Sequence, residues 1–256
     1  MRKNKNFAII IQARLTSSRF KEKILKKIIG KLTLIDYLIK RLLLVFKEQN
    51  IIFAMAKNKN NHKIIRILKK YNIKYFVGSE KNVLNRYLNC AVKYKIDNII
   101  RITSDCPFID PYLIYKMLKY YRKNRYDYFA NTLPENLKKY PDGSDIEIFT
   151  YKVLEKTSRS DLSKTDKEHV TNKLWSSKKI KKKILFPKYD YSNFRFSVDY
   201  PSDLILAKYI AKKIHEKKII GTSGQITKII KKSKYISKIM HQNIFKQKNR
   251  RKGIFI

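Results

Sequence analysis

Phe7-Ala8-Ile9-Ile10-Ile11-Gln12-Ala13-Arg14-Leu15-Thr16-Ser17-Ser18-Arg19 is the stretch on which the reading of this chain turns. Five apolar residues run together and stop at a polar turn. A short apolar run bounded by a turn reads as a buried strand. A strand that empties into a cationic loop near the start of an α/β chain is a common seat for nucleotide phosphates, beyond the strand's carboxyl end. The loop has neither the GxxxxGK[ST] of a Walker loop nor the GxGxxG of a dinucleotide fingerprint. A phosphate grip here therefore falls to Arg14, Arg19 and Lys23, with the hydroxyls and amides of Thr16, Ser17 and Ser18. The alternative for the loop alone is a solvated turn of a basic protein.

Working outward, apolar runs and helical patterns alternate. The pattern predicts strands over 7–11, 51–56, 73–77 and 98–103, with helices over 34–46, 62–71, 83–94 and 111–120. Alternation at this spacing means βαβ units: an α/β fold, with a largely parallel sheet and helices on both faces. The ligand edge then carries 12–19, 78–82 and 103–110. The second half is less regular. Strands are expected over 126–130, 146–149 and 195–198, with a turn-rich loop over 134–144 and a helix from Pro201 to about His215. Residues 1–220 read as one domain and 221–256 as a basic helical C-terminal extension, ending in the solvated run Asn249-Arg250-Arg251-Lys252.

The chain has 256 residues, 43% of them hydrophobic, enough for a sizeable core. Its formal charge is +40, from 60 basic and 20 acidic residues. Such a charge suggests nucleic-acid binding. The lysines, however, are spread along the whole chain, and Ile, Asn and Tyr, which share A/T-rich codons with Lys, are abundant too. Compositional drift accounts for the charge, so no nucleic-acid partner is expected, although an anionic small substrate benefits from the field. Cys90 and Cys106 make neither a disulfide framework nor a zinc spacing. No run approaches a membrane span. A reduced, cytoplasmic protein without membrane insertion is the expectation.

Acids are scarce, so their grouping is informative. Asp105 follows the strand of Arg101-Ile102-Thr103, and Asp199 repeats that grammar in Phe196-Ser197-Val198-Asp199-Tyr200-Pro201. Two carboxylates at two strand ends can converge on a hard cation such as magnesium, whose other ligands are phosphate oxygens and water. The alternative is that each aspartate caps the helix that follows it.

The order of these segments is itself a pattern. Ile-Gln-Ala-Arg-x-x-Ser-Ser-Arg-x-x-x-Lys at 11–23, Gly-Ser-Glu-x-Asn-Val-Leu-x-Arg-Tyr at 78–87, Arg-Ile-Thr-Ser-Asp-Cys-Pro-x-Ile-Asp-Pro at 101–111, Tyr-Pro-Asp-Gly-Ser-Asp-Ile-Glu at 140–147, Glu-His-Val-Thr at 168–171 and Arg-Phe-Ser-Val-Asp-Tyr-Pro-x-Asp-Leu at 195–204 fall in sequence. Over roughly 7–215 the chain resembles the cytidylyltransferases of the SpsF spore-coat polysaccharide type, relatives of CMP-Kdo and CMP-sialic acid synthetases. The resemblance implies a GT-A-like, Rossmann-like nucleotidyltransferase fold. It implies transfer of CMP from CTP to a sugar, with release of pyrophosphate, for surface glycan synthesis. By the same resemblance, Arg14, Arg19 and Lys23 grip the triphosphate and, with Asp105, form the catalytic set, while Asp105 and Asp199 hold Mg2+. Gln12, Ala13, Ser17, Ser18, Ser79, Asn82 and Arg86 lie by the nucleotide. Asp142, Asp145, Glu147 and His169 face a sugar, an acidic one among the options. Related enzymes also use this half for dimer contacts, so a homodimer belongs to the expectation. A glycosyltransferase of the same fold, or a basic nucleic-acid-binding protein, are the rival readings.

One departure stands out. The family usually has Pro-Gly before the lysine, whereas this chain has Lys21-Glu22-Lys23. Glycine lets backbone approach phosphate unobstructed. Glu22 puts a negative charge near an anion site, unless its side chain turns outward.

Overall fold

Alternation along the first strand sets the layers. In the computed structural model, which describes residues 6–132 and 138–251, β1 (Phe7–Ala13) sends Ile9, Ile11 and Ala13 to one face and Ala8 and Ile10 to the other. This is the period of two that a pleated strand imposes. A hairpin of β2 (Lys27–Ile29) and β3 (Leu32–Thr33) leads into α1 (Leu34–Leu42). Then follow β4 (Ile51–Ala56), α2 (His62–Lys70), β5 (Lys74–Gly78), α3 (Val83–Lys93), β6 (Asn98–Thr103) and α4 (Pro111–Asn124). The chain continues through β7 (Tyr128–Ala130), β8 (Glu147–Thr150), α5 (Tyr151–Ser158), α6 (Lys164–His169), α7 (Asn172–Ser176) and β9 (Lys182–Ile184), and closes with α8 (Pro201–Glu216), α9 (Ser223–Lys231) and α10 (Lys234–Arg251). Of the predicted loop 134–144, residues 134–137 lie outside the described residues, as does Lys252.

Seven strands form one sheet in the order β5-β4-β1-β6-β8-β7-β9. The β5-β4-β1-β6 half and the β7-β9 pair are parallel, while β8 runs antiparallel to both of its neighbours. Ile51, Phe53 and Met55 of β4 pack with α1, α2 and α4 on one face, and Ile52 and Ala54 pack with α3, α5 and α7 on the other. The expected α/β architecture, mostly parallel with helices on both faces, is the one observed. β1 is central because its run Ala8 to Ile11 is wholly buried, and only a strand flanked on both sides and covered on both faces tolerates that.

A third core joins the C-terminal helices to Ile28 of the β2–β3 hairpin, to Leu34 at the start of α1 and to the loops carrying Phe108, Phe196 and Val198. Leu206, Ile210 and Ile214 of α8 pack with Ile226 and Ile230 of α9 and with Ile236 and Met240 of α10. Arg41, buried on α1, ties this layer down: its guanidinium donates to the carbonyls of Ile109 (3.1 Å), Ile220 (2.6 Å) and Gly221 (3.1 Å). Among the described residues, no helix is long and apolar enough to cross a membrane.

Segment 195–198 is not a strand, contrary to expectation. Its backbone is divided between two loops instead of running along one ladder. Phe196 donates its N–H to the Asp142 carbonyl (2.6 Å), and Val198 donates to the Asp105 carbonyl (2.9 Å). Among the described residues a single bridge, Asp142 with Arg195, is all the pairing that results. Gly143 makes the crossing feasible: its φ is +93°, and a Cβ there would collide with the Ser197 backbone nitrogen.

Candidate active site

Helix capping decides which aspartates are free for chemistry. At α4 the cap is Asp110, whose carboxylate accepts the N–H groups of Tyr112 (3.0 Å) and Leu113 (3.2 Å). At α8 Asp203 reaches back to accept those of Asp199 (2.8 Å) and Tyr200 (2.9 Å). Neither Asp105 nor Asp199 therefore serves as a cap. Their side chains converge instead on Lys23, whose Nζ lies 2.7 Å from Asp105 Oδ2 and 2.7 Å from Asp199 Oδ1. Asp199 also takes Arg19 on Oδ1 and Arg195 Nη2 on Oδ2 at 2.6 Å.

Burial makes these charges interact strongly, since little water screens them. Among the described residues the buried cations are Lys23, Arg41, Arg86 and Arg195. Burial works to lower the Lys23 ammonium pKa, but the carboxylates of Asp105 and Asp199 prevail and hold it above its ordinary value. Burial likewise opposes the charge on Asp199, yet Lys23 and Arg195 keep its carboxyl well below the usual range. Asp105 is held low by Lys23 against the same penalty. Cys106, next to Asp105, is fully enclosed, and burial pushes its thiol far up, so it is no nucleophile.

Glu22 sets the entry of Lys23 into this cluster. Its backbone is left-handed, with φ 51° and ψ 32°, just before the 3-10 turn Lys23–Leu25. That is a conformation glycine adopts without steric cost and a side chain does not, a reason for glycine here distinct from close approach to phosphate. The Glu22 carboxylate turns outward and pairs with Lys63 of α2 at 2.7 Å. It adds no negative charge to the site.

A cavity of about 530 Å³ opens beside the cluster at the carboxyl ends of β1 and β6. Gln12, Ala13, Arg14, Ser17, Ser18, Arg19, Lys23 and Arg86 line it, together with Asp105 and Asp199. Ser79 and Asn82 do not. The Asn82 side chain caps α3 on the Asn85 N–H (2.9 Å), and the Ser79 hydroxyl accepts the Asn82 N–H (3.0 Å). Their neighbour Glu80 reaches the cavity in their place and accepts a hydrogen bond from Thr16. Arg86 donates to the Ser79 carbonyl at 2.6 Å, which holds this turn against α3.

A second cavity, of about 490 Å³, holds Asp142, Asp145, Glu147 and His169. The three carboxylates are all engaged. Asp142 pairs with Arg195, Asp145 with Lys138 (2.7 Å), and Glu147 with Arg101. Glu147 also accepts the hydroxyls of Tyr128 (2.6 Å) and Thr171 (2.6 Å). Burial works to lower the Lys138 ammonium pKa, but Asp145 and Asp142 hold it above its ordinary value. Arg101, His169 and Gln247 line both cavities. The backbone beside His169 is strained: Val170 has φ 61° and ψ −51°, and the Thr171 N–H donates to the His169 carbonyl at 2.6 Å. That is a γ-turn of the rarer hand, unusual for a β-branched residue and typical of sites where geometry is imposed.

Arg195, Arg101 and Gln247 were given no role from the sequence, yet they build or line the two cavities; Arg250, in the run expected to be solvated, lines the first one, as does Glu80 of the 79–82 turn. For Arg195 a signal was present. It stands four residues before Asp199 inside a motif, at a position otherwise read as apolar strand. Among the described residues no group of three or more His, Cys, Asp or Glu could hold a metal. Any cation would rest on Asp105 and Asp199 with oxygens from elsewhere.

The chain is similar along most of its length to several known proteins. Over 233 residues the chain is 31% identical to the uncharacterized protein MJ1063 of Methanocaldococcus jannaschii, covering 90% of this chain and 92% of that one. It is 26% identical over 228 residues to the spore coat polysaccharide biosynthesis protein SpsF of Bacillus subtilis, covering 85% and 91%. A solved cytidylyltransferase from Leptospira borgpetersenii superposes with a TM-score of 0.82 at 28% identity, over 91% of this chain and 97% of that one. The cytidylyltransferase family model matches residues 8–203, the span that supplies β1, its cationic loop, Asp105 and Asp199, and the chain accordingly belongs to the cytidylyltransferase family of nucleotidyltransferases.

Proposed function

We propose that this enzyme transfers CMP from CTP to a sugar, for surface polysaccharide or glycoconjugate synthesis, with Mg2+ as its cofactor. The observation that carries the reading is the junction of the two cavities. A nucleotide in the first and a sugar in the second would meet at Arg101, His169 and Gln247, beside the cluster of Asp105, Lys23 and Asp199.

In the proposed reaction a sugar hydroxyl attacks the α-phosphorus of CTP. The new O–P bond forms as the bond to the bridging oxygen of pyrophosphate breaks, and the hydroxyl proton is released to water. Little covalent help is needed; alignment and neutralisation of charge lower the barrier. Arg14, Arg19 and Lys23 offset the charge that grows on the departing pyrophosphate. Arg19 is held by Asp199, so its ordering cost is met in folding. The carboxylates of the second cavity are already neutralised by Lys138, Arg101 and Arg195, and they keep lone pairs that can accept sugar hydroxyls.

The donor set fits magnesium: two hard carboxylates side by side, both within 2.7 Å of the same Lys23 ammonium. Bound there, the ion would supply charge neutralisation and orientation for the phosphates. Lys23 Nζ now bridges the same carboxylates, so magnesium binding requires it to turn toward the triphosphate.

Pyrophosphate release from CTP, assayed with magnesium over a panel of acidic and neutral sugars, tests the reading. Release that depends on one sugar and on CTP supports it. Cleavage of a nucleotide-sugar donor, with no use of CTP, would overturn it.

A further inference from the structure

Along α10 one stripe changes character. Ile236, Met240, Asn243, Gln247 and Arg250 recur at helical spacing on one face. The first two belong to the apolar core against α8. From Asn243 onward the same face is polar, although Asn243 is 1% exposed. An amide at so buried a position is costly unless it is satisfied, and here it is bound on both sides. Its Nδ2 donates to Asp203 Oδ1 at 2.7 Å, and its Oδ1 accepts the Ser202 hydroxyl at 2.7 Å. One turn on, Gln247 Oε1 accepts Arg195 Nη1 at 2.8 Å. Arg195 in turn holds Asp199. Gln247 lines both cavities, Arg250 the nucleotide cavity, and Ile244 and Lys248 the second one.

We propose that the C-terminal helix, which lies beyond the span matched by the family model, is a wall of the active site. Arg250 is a phosphate-binding residue, and Gln247 is a positioning residue that orients Arg195 and, through it, Asp199. The helix needs no apolar partner over its last turns because its stripe faces charge and substrate. The proposal rests on the cytidylyltransferase reading for the identity of the nucleotide, but not for the presence of an anion.

Calorimetric titration of the full chain with CTP, cytidine and inorganic pyrophosphate, with magnesium present, tests it. Arg250→Ala is expected to weaken CTP and pyrophosphate about tenfold and to leave cytidine unchanged, with Arg250→Lys recovering part of the loss. Gln247→Leu, close to isosteric, is expected to weaken CTP several-fold while Gln247→Glu, which restores the acceptor to Arg195 but adds charge, weakens it further. Lys238→Ala, an exposed single-charge control on the same helix, is expected to change nothing. If the wild-type chain binds CTP and both Arg250→Ala and Gln247→Leu match it, α10 is merely structural and the proposal falls alone. If the wild-type chain ignores CTP but binds pyrophosphate in an Arg250-dependent way, the proposal stands and the cytidine reading falls. If neither CTP nor pyrophosphate binds, both fall.

Discussion

Asp105 and Asp199 share one ammonium, but their substitution should separate chemistry from stability. Asp105 is partly exposed, and among the described residues its ion pair is with Lys23. Asp105→Asn is expected to cost about 1 kcal/mol or less in urea unfolding and to reduce the proposed CMP transfer by at least about 100-fold, as loss of a transition-state charge contact does. Asp199 is surrounded by Lys23, Arg19 and Arg195, the last 1% exposed. Removing its charge strands buried cations, so Asp199→Asn is expected to destabilise by about 3–5 kcal/mol. An inactive Asp199 variant is therefore weak evidence for its catalytic role, and Asp105→Asn is the cleaner test. Glu22 invites the opposite experiment. Left-handed backbone costs a side chain about 1–2 kcal/mol, whereas its exposed pair with Lys63 contributes less than about 1 kcal/mol. Glu22→Gly should thus be neutral or up to about 1 kcal/mol stabilising, while Glu22→Ala, which keeps the strain and loses the pair, should destabilise. Equal melting temperatures for the two variants would contradict this account.

At the scale of elements, the legible parts were those with a local period. β1, β4 and β6 are buried on both faces and were found as apolar runs; α1, α2 and α3 were found from helical spacing. Segment 195–198 misled because Arg-Phe-Ser-Val alternates like a strand, while its hydrogen bonds go to loops far away in the chain. No local pattern reports where a partner lies. The Gly143 crossing that holds this segment is testable. Gly143→Ala combines a left-handed φ with a collision against Ser197, and should lower stability by at least about 2 kcal/mol while displacing Arg195. Loss of nucleotidyl transfer together with loss of melting temperature is the expected pair of readouts. The α10 stripe was equally opaque: without the position of α8, nothing in Asn243, Gln247 and Arg250 distinguishes a buried face from a solvated one.

For the whole molecule, charge is the dominant variable. At +40 the folded chain repels itself, and salt screens that repulsion over a Debye length of about 10 Å at 0.1 M. The melting temperature should therefore rise between low and moderate NaCl, and a fall would mean that the ion-pair clusters dominate instead. The pH dependence follows from the directions at the cluster. The folded Asp199 carboxyl lies below its unfolded value, so its contribution is present above about pH 4 and is lost as pH falls through the folded value. The folded Lys23 ammonium lies above its unfolded value, so its contribution is complete below about pH 10 and is lost as pH rises through the folded value. A melting temperature that is flat between these limits and falls at both ends is the expected profile.

By itself the sequence determined the layered α/β order and the cationic loop after β1, and it pointed to Asp105 and Asp199 as a converging pair, because hydrophobic period, turn chemistry and motif order are all local and written in one dimension. Only the tertiary structure decided that Lys23 bridges those carboxylates, that Arg195 and Asp203 brace Asp199, that Glu22 turns away to Lys63, and that the last helix lines both cavities. Each of those contacts joins residues brought together by packing, and in three dimensions burial rather than residue type selects which charges must be paired.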